Sequence, residues 1–276
     1  MSNICEKNGN VSWDEFYPTS KIYRFKEAFN SFFDNIKFAK VDENSQEEKM
    51  VVFKKHNHDI SIDALSTGEK QIVFRGTFLL KNCNNIDGGI VFVDEPELSM
   101  HPKWQEKILK YYRDLFVKNT RQTVQLIIAT HSEYIVRTGL ENTNDILVVT
   151  LEERHRHIKA NIINAPDVLP IITSAETNYI AFGIASNDYH IQLYGYLQNK
   201  IQTTTVKACD DYIAGNSHYI QGIHGRSSSH TTVSKTINYQ TLPTYIRNAI
   251  NHPDPSRTFT KQELEISIKL LIELCR

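Results

Sequence analysis

Residues 90–95 read Ile-Val-Phe-Val-Asp-Glu, with Gly88-Gly89 before them and Pro96 after. Four consecutive apolar residues bounded by glycine and proline predict a buried strand of a parallel sheet. The run stops at two adjacent carboxylates, Asp94 and Glu95, for which a buried strand has no use. Such a pair suits phosphate chemistry with a divalent ion. One carboxylate holds Mg²⁺ beside the phosphates, and the other polarises an attacking water. The same residues also fit a solvated turn, because apolar strands often end in an acid.

Outward from this strand, residues 65–70 read Leu-Ser-Thr-Gly-Glu-Lys, and Gln71 to Leu80 predicts a helix. A hydroxyl and a glycine before a helix make an anion site, where free N–H groups and the helix dipole face the phosphate. Ser66 or Thr67 also serves there as an ordinary N-cap. Downstream, residues 124–130 (Val-Gln-Leu-Ile-Ile-Ala-Thr) predict a second buried strand, ending at His131-Ser132. A lone histidine after a strand fits a structural hydrogen bond as readily as a catalytic one.

The order of these segments resembles the ABC-type ATPase head, in the soluble branch that includes SMC-like and phage-defence ATPases. The likeness spans roughly residues 50–150. Ser66-Thr67-Gly68-Glu69 corresponds to the signature motif, Ile90–Glu95 to Walker B, Glu97–Pro102 to the D-loop and His131 to the switch histidine. The resemblance implies ATP and Mg²⁺ as cofactors. Asp94 then supports the metal, Glu95 is the general base, and His131 senses the γ-phosphate. Ser66 and Gly68 contact the γ-phosphate of a nucleotide held by another subunit. The fold class expected is α/β: a partial head with a parallel-sheet core and flanking helices, followed by a mainly α-helical C-terminal domain.

One element of the family pattern does not occur in these 276 residues. No Gly-x-x-x-x-Gly-Lys-Ser/Thr is present, and that loop supplies the backbone cradle, the lysine and a Mg²⁺-binding hydroxyl. The expectation is a truncated or split head, completed by a P-loop-bearing segment or partner subunit. A degenerate head that lends Ser66 and Gly68 to a partner's nucleotide is the remaining option.

Three zones follow along the chain. Residues 1–60 lead into the head: Tyr23 to Phe38 predicts an amphipathic helix carrying Phe25, Phe29, Phe32, Phe33 and Ile36, and Met50–Lys54 and Asp59–Ile62 predict paired strands. Residues 61–168 form the ATPase core, with a helix over Lys103–Lys118 and further strands at Ile146–Leu151 and Ile158–Ile163. Residues 169–276 read as helical. Helices are predicted over Ile171–Ile184, Tyr189–Tyr212, Leu242–His252 and Lys261–Cys275, with a loop over Gly215–Gln240. Thr260 and Glu263 have capping-box spacing.

Within this last zone, Arg247-Asn248-Ala249-Ile250-Asn251-His252 resembles the HEPN ribonuclease motif, Arg-x4-His. That likeness implies RNA cleavage, with His252 as acid or base and Arg247 stabilising charge. A solvated helix end, with His252 near the C-terminal dipole, explains the same residues. His218, His224 and His230 fit no metal-ligand spacing, so no metal beyond Mg²⁺ is expected.

Composition is that of a globular protein, 40% hydrophobic and 23% charged, and a net charge of −1 gives no global basic field for nucleic acid. Cys5, Cys83, Cys209 and Cys275 are scattered, which suits a reduced compartment. There is no signal-like apolar run, and no stretch of the roughly 18 apolar residues that a membrane span needs. A cytoplasmic protein without a membrane partner is expected. Its expected partners are a second copy in a homodimer or a P-loop-bearing subunit, with a nuclease and RNA beyond these. Three functions stay open: an ATP-hydrolysing half-head of a prokaryotic defence or toxin system that gates a nuclease, a HEPN-type ribonuclease with the head as regulator, and a non-catalytic regulatory subunit.

Overall fold

The computed structural model describes residues 12–43, 49–82, 88–118, 120–154, 156–231 and 236–276. Cys5 and Cys83 lie outside them, as do parts of the charged segment before Lys49 and of the stretch 215–240. The architecture is mixed α/β, with two compact units, Met1–Thr138 and Gly139–Arg276. Each has its own hydrophobic cluster.

In the first unit, helix α1 (Lys21–Phe32) starts on Ser20, whose hydroxyl accepts the Tyr23 N–H. It stops earlier than the aromatic spacing predicts. Lys37 Nζ donates to the carbonyls of Asn30 and Phe33, and Asn30 Oδ1 accepts the Phe38 N–H. These bonds satisfy the last turn and start a strand. Ile36 and Phe38 therefore lie on β1 (Ile36–Glu43), not on the helix. β1 pairs antiparallel with β2 (Lys49–Lys55), which pairs antiparallel with β3 (His58–Ser61). Phe25, Phe29, Phe33, Phe38 and Phe53 are buried together, in offset and edge-to-face pairs.

Helix α2 (Thr67–Asn82) packs against α1 and against α3 (Pro102–Leu115). The close fit runs through Gly76: a Cβ there would lie 2.0 Å from the Tyr111 hydroxyl, which donates to the Ile72 carbonyl. β4 (Ile90–Asp94) pairs in parallel with β5 (Gln125–Ala129), residue 90 opposite 125 and residue 94 opposite 129. Val91, Val93, Leu126 and Ile128 face the core. Ile90, Phe92 and Ile127 do not, and Phe92 is 72% exposed. The expectation of strands buried on both faces is corrected here. A strand apolar on both faces needs a layer on each side, and among the described residues only one side is covered.

The second unit opens with an antiparallel hairpin, β6 (Val148–Arg154) and β7 (His157–Ile163). It continues mainly as helices: α5 (Ser174–Phe182), α6 (Asn187–Lys200) and α7 (Val206–Gly215). The helical run predicted over 189–212 is two helices, because Gln202 adopts a left-handed backbone and Thr205 caps α7. The stretch read as a loop holds a hairpin, β8 (Gly225–Thr231) and β9 (Thr236–Thr241). Its strands are rich in Ser, Thr and His and lack the apolar alternation that marks a half-buried strand. Helices α8 (Leu242–Asn251) and α9 (Lys261–Cys275) complete the unit. α9 starts on the predicted Thr260–Glu263 capping box and packs along α6. Cys209 and Cys275 are free and buried, and burial pushes their thiols up to about 11 and about 12.

Candidate functional site

β4 and β5 end side by side, and this brings the Asp-Glu pair next to the histidine. The Glu95 N–H donates to the Ala129 carbonyl, extending the ladder one step beyond Asp94. Glu95 then turns with φ +43°, a left-handed backbone that a residue with a Cβ adopts at a cost. Its carboxylate Oε1 lies 3.7 Å from His131 Nε2. Asp94 is exposed at the strand tip, and the His131 side chain is 83% exposed. The three groups thus share one edge, open to solvent.

Neighbouring side chains hold that edge. Thr130 Oγ1 and the His131 N–H both donate to Glu97 Oε1, each at 2.8 Å. Arg75, on α2, donates to the Pro96 carbonyl at 2.9 Å. Ser132 caps the next helix, α4 (Glu133–Glu141), and donates to Gln105 Oε1. Gln105 in turn donates to the Met100 carbonyl. The segment from 95 to 100 is therefore pinned from both sides. Ser99 within it is a second non-glycine with a left-handed backbone (φ +62°). Arg75 and Gln105 are the residues that sequence reasoning missed, and Glu97 entered it only as the first residue of the D-loop likeness, without this bonding role.

The Ser-Thr-Gly-Glu segment starts α2. Ser66 and Glu69 cap each other: the Ser66 N–H donates to Glu69 Oε2 at 2.7 Å, and the Glu69 N–H to Ser66 Oγ at 3.4 Å. Lys55 Nζ is 3.0 Å from Glu69 Oε1. Burial works to raise the Glu69 carboxyl, but the Ser66 amide and the Lys55 ammonium outweigh it and hold the group below its ordinary value. Gly68 is buried where a Cβ would meet Trp104 Cζ3 at 2.9 Å and the Ser99 carbonyl at 3.1 Å. Gly68 and Glu69 thus have work within their own chain. Ser66 and Thr67 face solvent at the helix start, beside the 99–104 segment rather than beside Glu95 and His131. Arg75 touches the Glu95 turn from further along the same helix, roughly 13 Å beyond Ser66.

Among the described residues no three His, Cys, Asp or Glu side chains converge on one point. Mg²⁺ takes one or two protein carboxylates and fills its shell with water and phosphate oxygens. Asp94 suits that part. Bound Mg²⁺·nucleotide supplies a phosphorus made electrophilic by the metal. The residues of this chain would hold the ion at Asp94 and accept a water's proton at Glu95.

In the second unit, Arg247 and His252 line one cavity of about 200 Å³, with Ser228, His230 and Arg257. Arg247 Nη1 donates to Asn248 Oδ1 at 3.0 Å.

Residues 6–136, within the first unit, match the family model described as AAA ATPase domain. Among characterised relatives, the chain is 27% identical over 192 residues to "Retron Vc95 probable ATPase" of Vibrio cholerae, covering 64% of this chain and 36% of that protein. It is 31% identical over 129 residues to "Retron Ec83 probable ATPase" of Escherichia coli, covering 42% of this chain and 22% of that protein. The chain thus spans little more than a third of the first relative's length. Among solved structures, an SMC ATPase aligns with a TM-score of 0.41 at 13% identity, over 59% of this chain and 90% of that one. No helix among the described residues is long and apolar enough to cross a membrane.

Proposed function

We propose that the first unit is the signature and Walker B half of an ABC-type head, and that it hydrolyses ATP when a P-loop-bearing segment or subunit completes the site. The observation that carries this reading is the meeting of Glu95 and His131 at the tips of two parallel strands, with Asp94 beside them. Asp94 holds Mg²⁺, Glu95 takes the proton of the attacking water, and His131 reads the γ-phosphate. Ser66 and Thr67, exposed at a helix N-terminus, are placed to meet a nucleotide held by a second copy, Ser66 through the hydroxyl proton that its cap bond to the Glu69 N–H does not use. The open apolar face of the strand pair is consistent with a further layer supplied by the completing segment or subunit. The likeness to retron ATPases points to a prokaryotic defence or toxin setting, in which hydrolysis gates a nuclease.

Glu95→Gln is expected to lower steady-state ATP hydrolysis by at least about 100-fold in the completed assembly while nucleotide stays bound. The chain by itself is expected to bind ATP weakly or not at all in calorimetry, with affinity appearing on addition of the P-loop-bearing partner. Tight binding by the lone polypeptide, or full turnover by Glu95→Gln, would defeat this reading.

A second reading, RNA cleavage by the second unit, is favoured by one observation: Arg247 and His252 line the same cavity. Its mark is an RNA cleavage activity lost in His252→Ala and retained in Glu95→Gln.

A further inference from the structure

We propose that the cavity between the β8–β9 hairpin and α8 is a binding site for a phosphate anion, presented either free or as a phosphodiester of a single nucleic-acid strand. Five side chains carry the inference. Ser228 and His230 alternate along one face of β8, Arg247 and His252 come from α8 and its end, and Arg257 from the turn beyond. The cavity lining contains two guanidinium groups, two imidazoles and no carboxylate.

The state of the arginines sharpens this. Arg226, on the same hairpin, has a structural role: it pairs with Glu263, donates to the Thr258 carbonyl and stacks on the Tyr245 ring at 3.8 Å. Arg247 and Arg257 form no ion pair with a described residue. Asp254, the acid closest to Arg257 in sequence, accepts the Ser256 N–H and hydroxyl through Oδ1 and feels the Arg257 charge, but it does not line the cavity. Arg247 uses one N–H on Asn248 and keeps the others. A half-buried guanidinium without a carboxylate beside the cavity is a planar fork awaiting an anion.

Two further observations point the same way. Ser228 Oγ is buried against the cavity and has no hydrogen-bond partner among the described residues, and a buried hydroxyl is rarely left so. The rings of His230 and His252 lie nearly parallel, 6.2 Å apart and tilted by 20°, flanking the opening. At about 200 Å³ the space is below the few hundred Å³ typical of sites for whole drug-sized ligands. It suits one phosphate and the adjoining part of a sugar. The proposal does not depend on the nucleotide site of the first unit. It shares Arg247 and His252 with the ribonuclease reading but requires binding, not cleavage.

The test uses the full chain at low salt without nucleoside triphosphate, so that the first unit's site is not read. Inorganic phosphate is titrated by calorimetry, and a short labelled single-stranded RNA by fluorescence anisotropy. Binding of phosphate alone identifies a free anion as the ligand. Binding of the oligonucleotide with no phosphate effect identifies a backbone phosphodiester. Either supports the proposal if the Arg247→Ala, Arg257→Ala double variant binds at least about tenfold more weakly. If that variant does not fold, Ser228→Val and Arg257→Lys are measured instead, and a several-fold loss is expected from each. Absence of binding by both probes at millimolar concentration overturns the proposal, as does undiminished binding by the folded variants.

Discussion

A single methyl group added at Gly68 would have to displace either the Trp104 indole or the backbone at Ser99. The glycine that resembles a signature motif is therefore required by the packing of its own chain. Gly68→Ala is expected to destabilise the first unit by about 1–3 kcal/mol in urea unfolding. Gly76→Ala is expected to cost at least as much, since the Tyr111 hydroxyl must leave. At this scale the sequence is partly readable. Asp94, Glu95 and His131 stand out because each follows an apolar run, where a polar residue breaks the pattern. Arg75 and Glu97 do not stand out. An arginine on an amphipathic helix and a glutamate in a turn are ordinary in sequence. Only folding brings the first against the Pro96 carbonyl and the second against Thr130 and His131. Gly76 is equally silent, because its reason for being glycine is a tyrosine on another helix.

Elements are joined by buried carboxylates as much as by apolar contact. Asp210, fully buried on α7, accepts the Gln240 and Thr241 N–H groups and the Thr241 hydroxyl, the last at 2.7 Å. Thr241 in turn caps α8, so Asp210 fixes the end of β9 and the start of the helix that carries Arg247. Asp210→Ala leaves the Gln240 and Thr241 N–H groups unpaired, while the Thr241 hydroxyl keeps Thr244 Oγ1 as acceptor, and is expected to cost about 2–4 kcal/mol in urea unfolding. Nothing near Asp210 in sequence announces this, since its partners lie 30 residues away. The helices were legible where apolar spacing and caps agree, as in α9 with its Thr260–Glu263 box. Periodicity misled where side-chain bonds overrode it, as at Asn30 and Lys37 after α1. The β8–β9 hairpin was illegible for the opposite reason: its residues carry no apolar rhythm.

Across the whole molecule, one buried base ties stability to pH. His190 is fully buried between helices, with Nε2 2.8 Å from Ser267 Oγ. Burial pushes its pKa down to about 3. The unfolded chain takes up a proton near pH 6.5 and the folded chain does not. Stability from this group is complete above about pH 6.5 and is lost as pH falls toward 3, by about 1.4 kcal/mol per unit. The unfolding free energy from denaturant titration is expected to be about 2 kcal/mol lower at pH 5 than at pH 7 from this group, and His190→Phe to remove that difference. The mixed architecture and the parallel pair were readable from alternating strand and helix patterns. The incomplete covering of the sheet was not, because an apolar run reports what a strand needs rather than whether this chain supplies it.

That uncovered face bears on how the protein is made. Phe92, flanked by Ile90 and facing the same side as Ile127, presents to water what a sheet normally hides. Until a covering layer docks on it, such a face is adhesive. Synthesis order, co-expression and chaperone supply then become part of how the molecule stays usable.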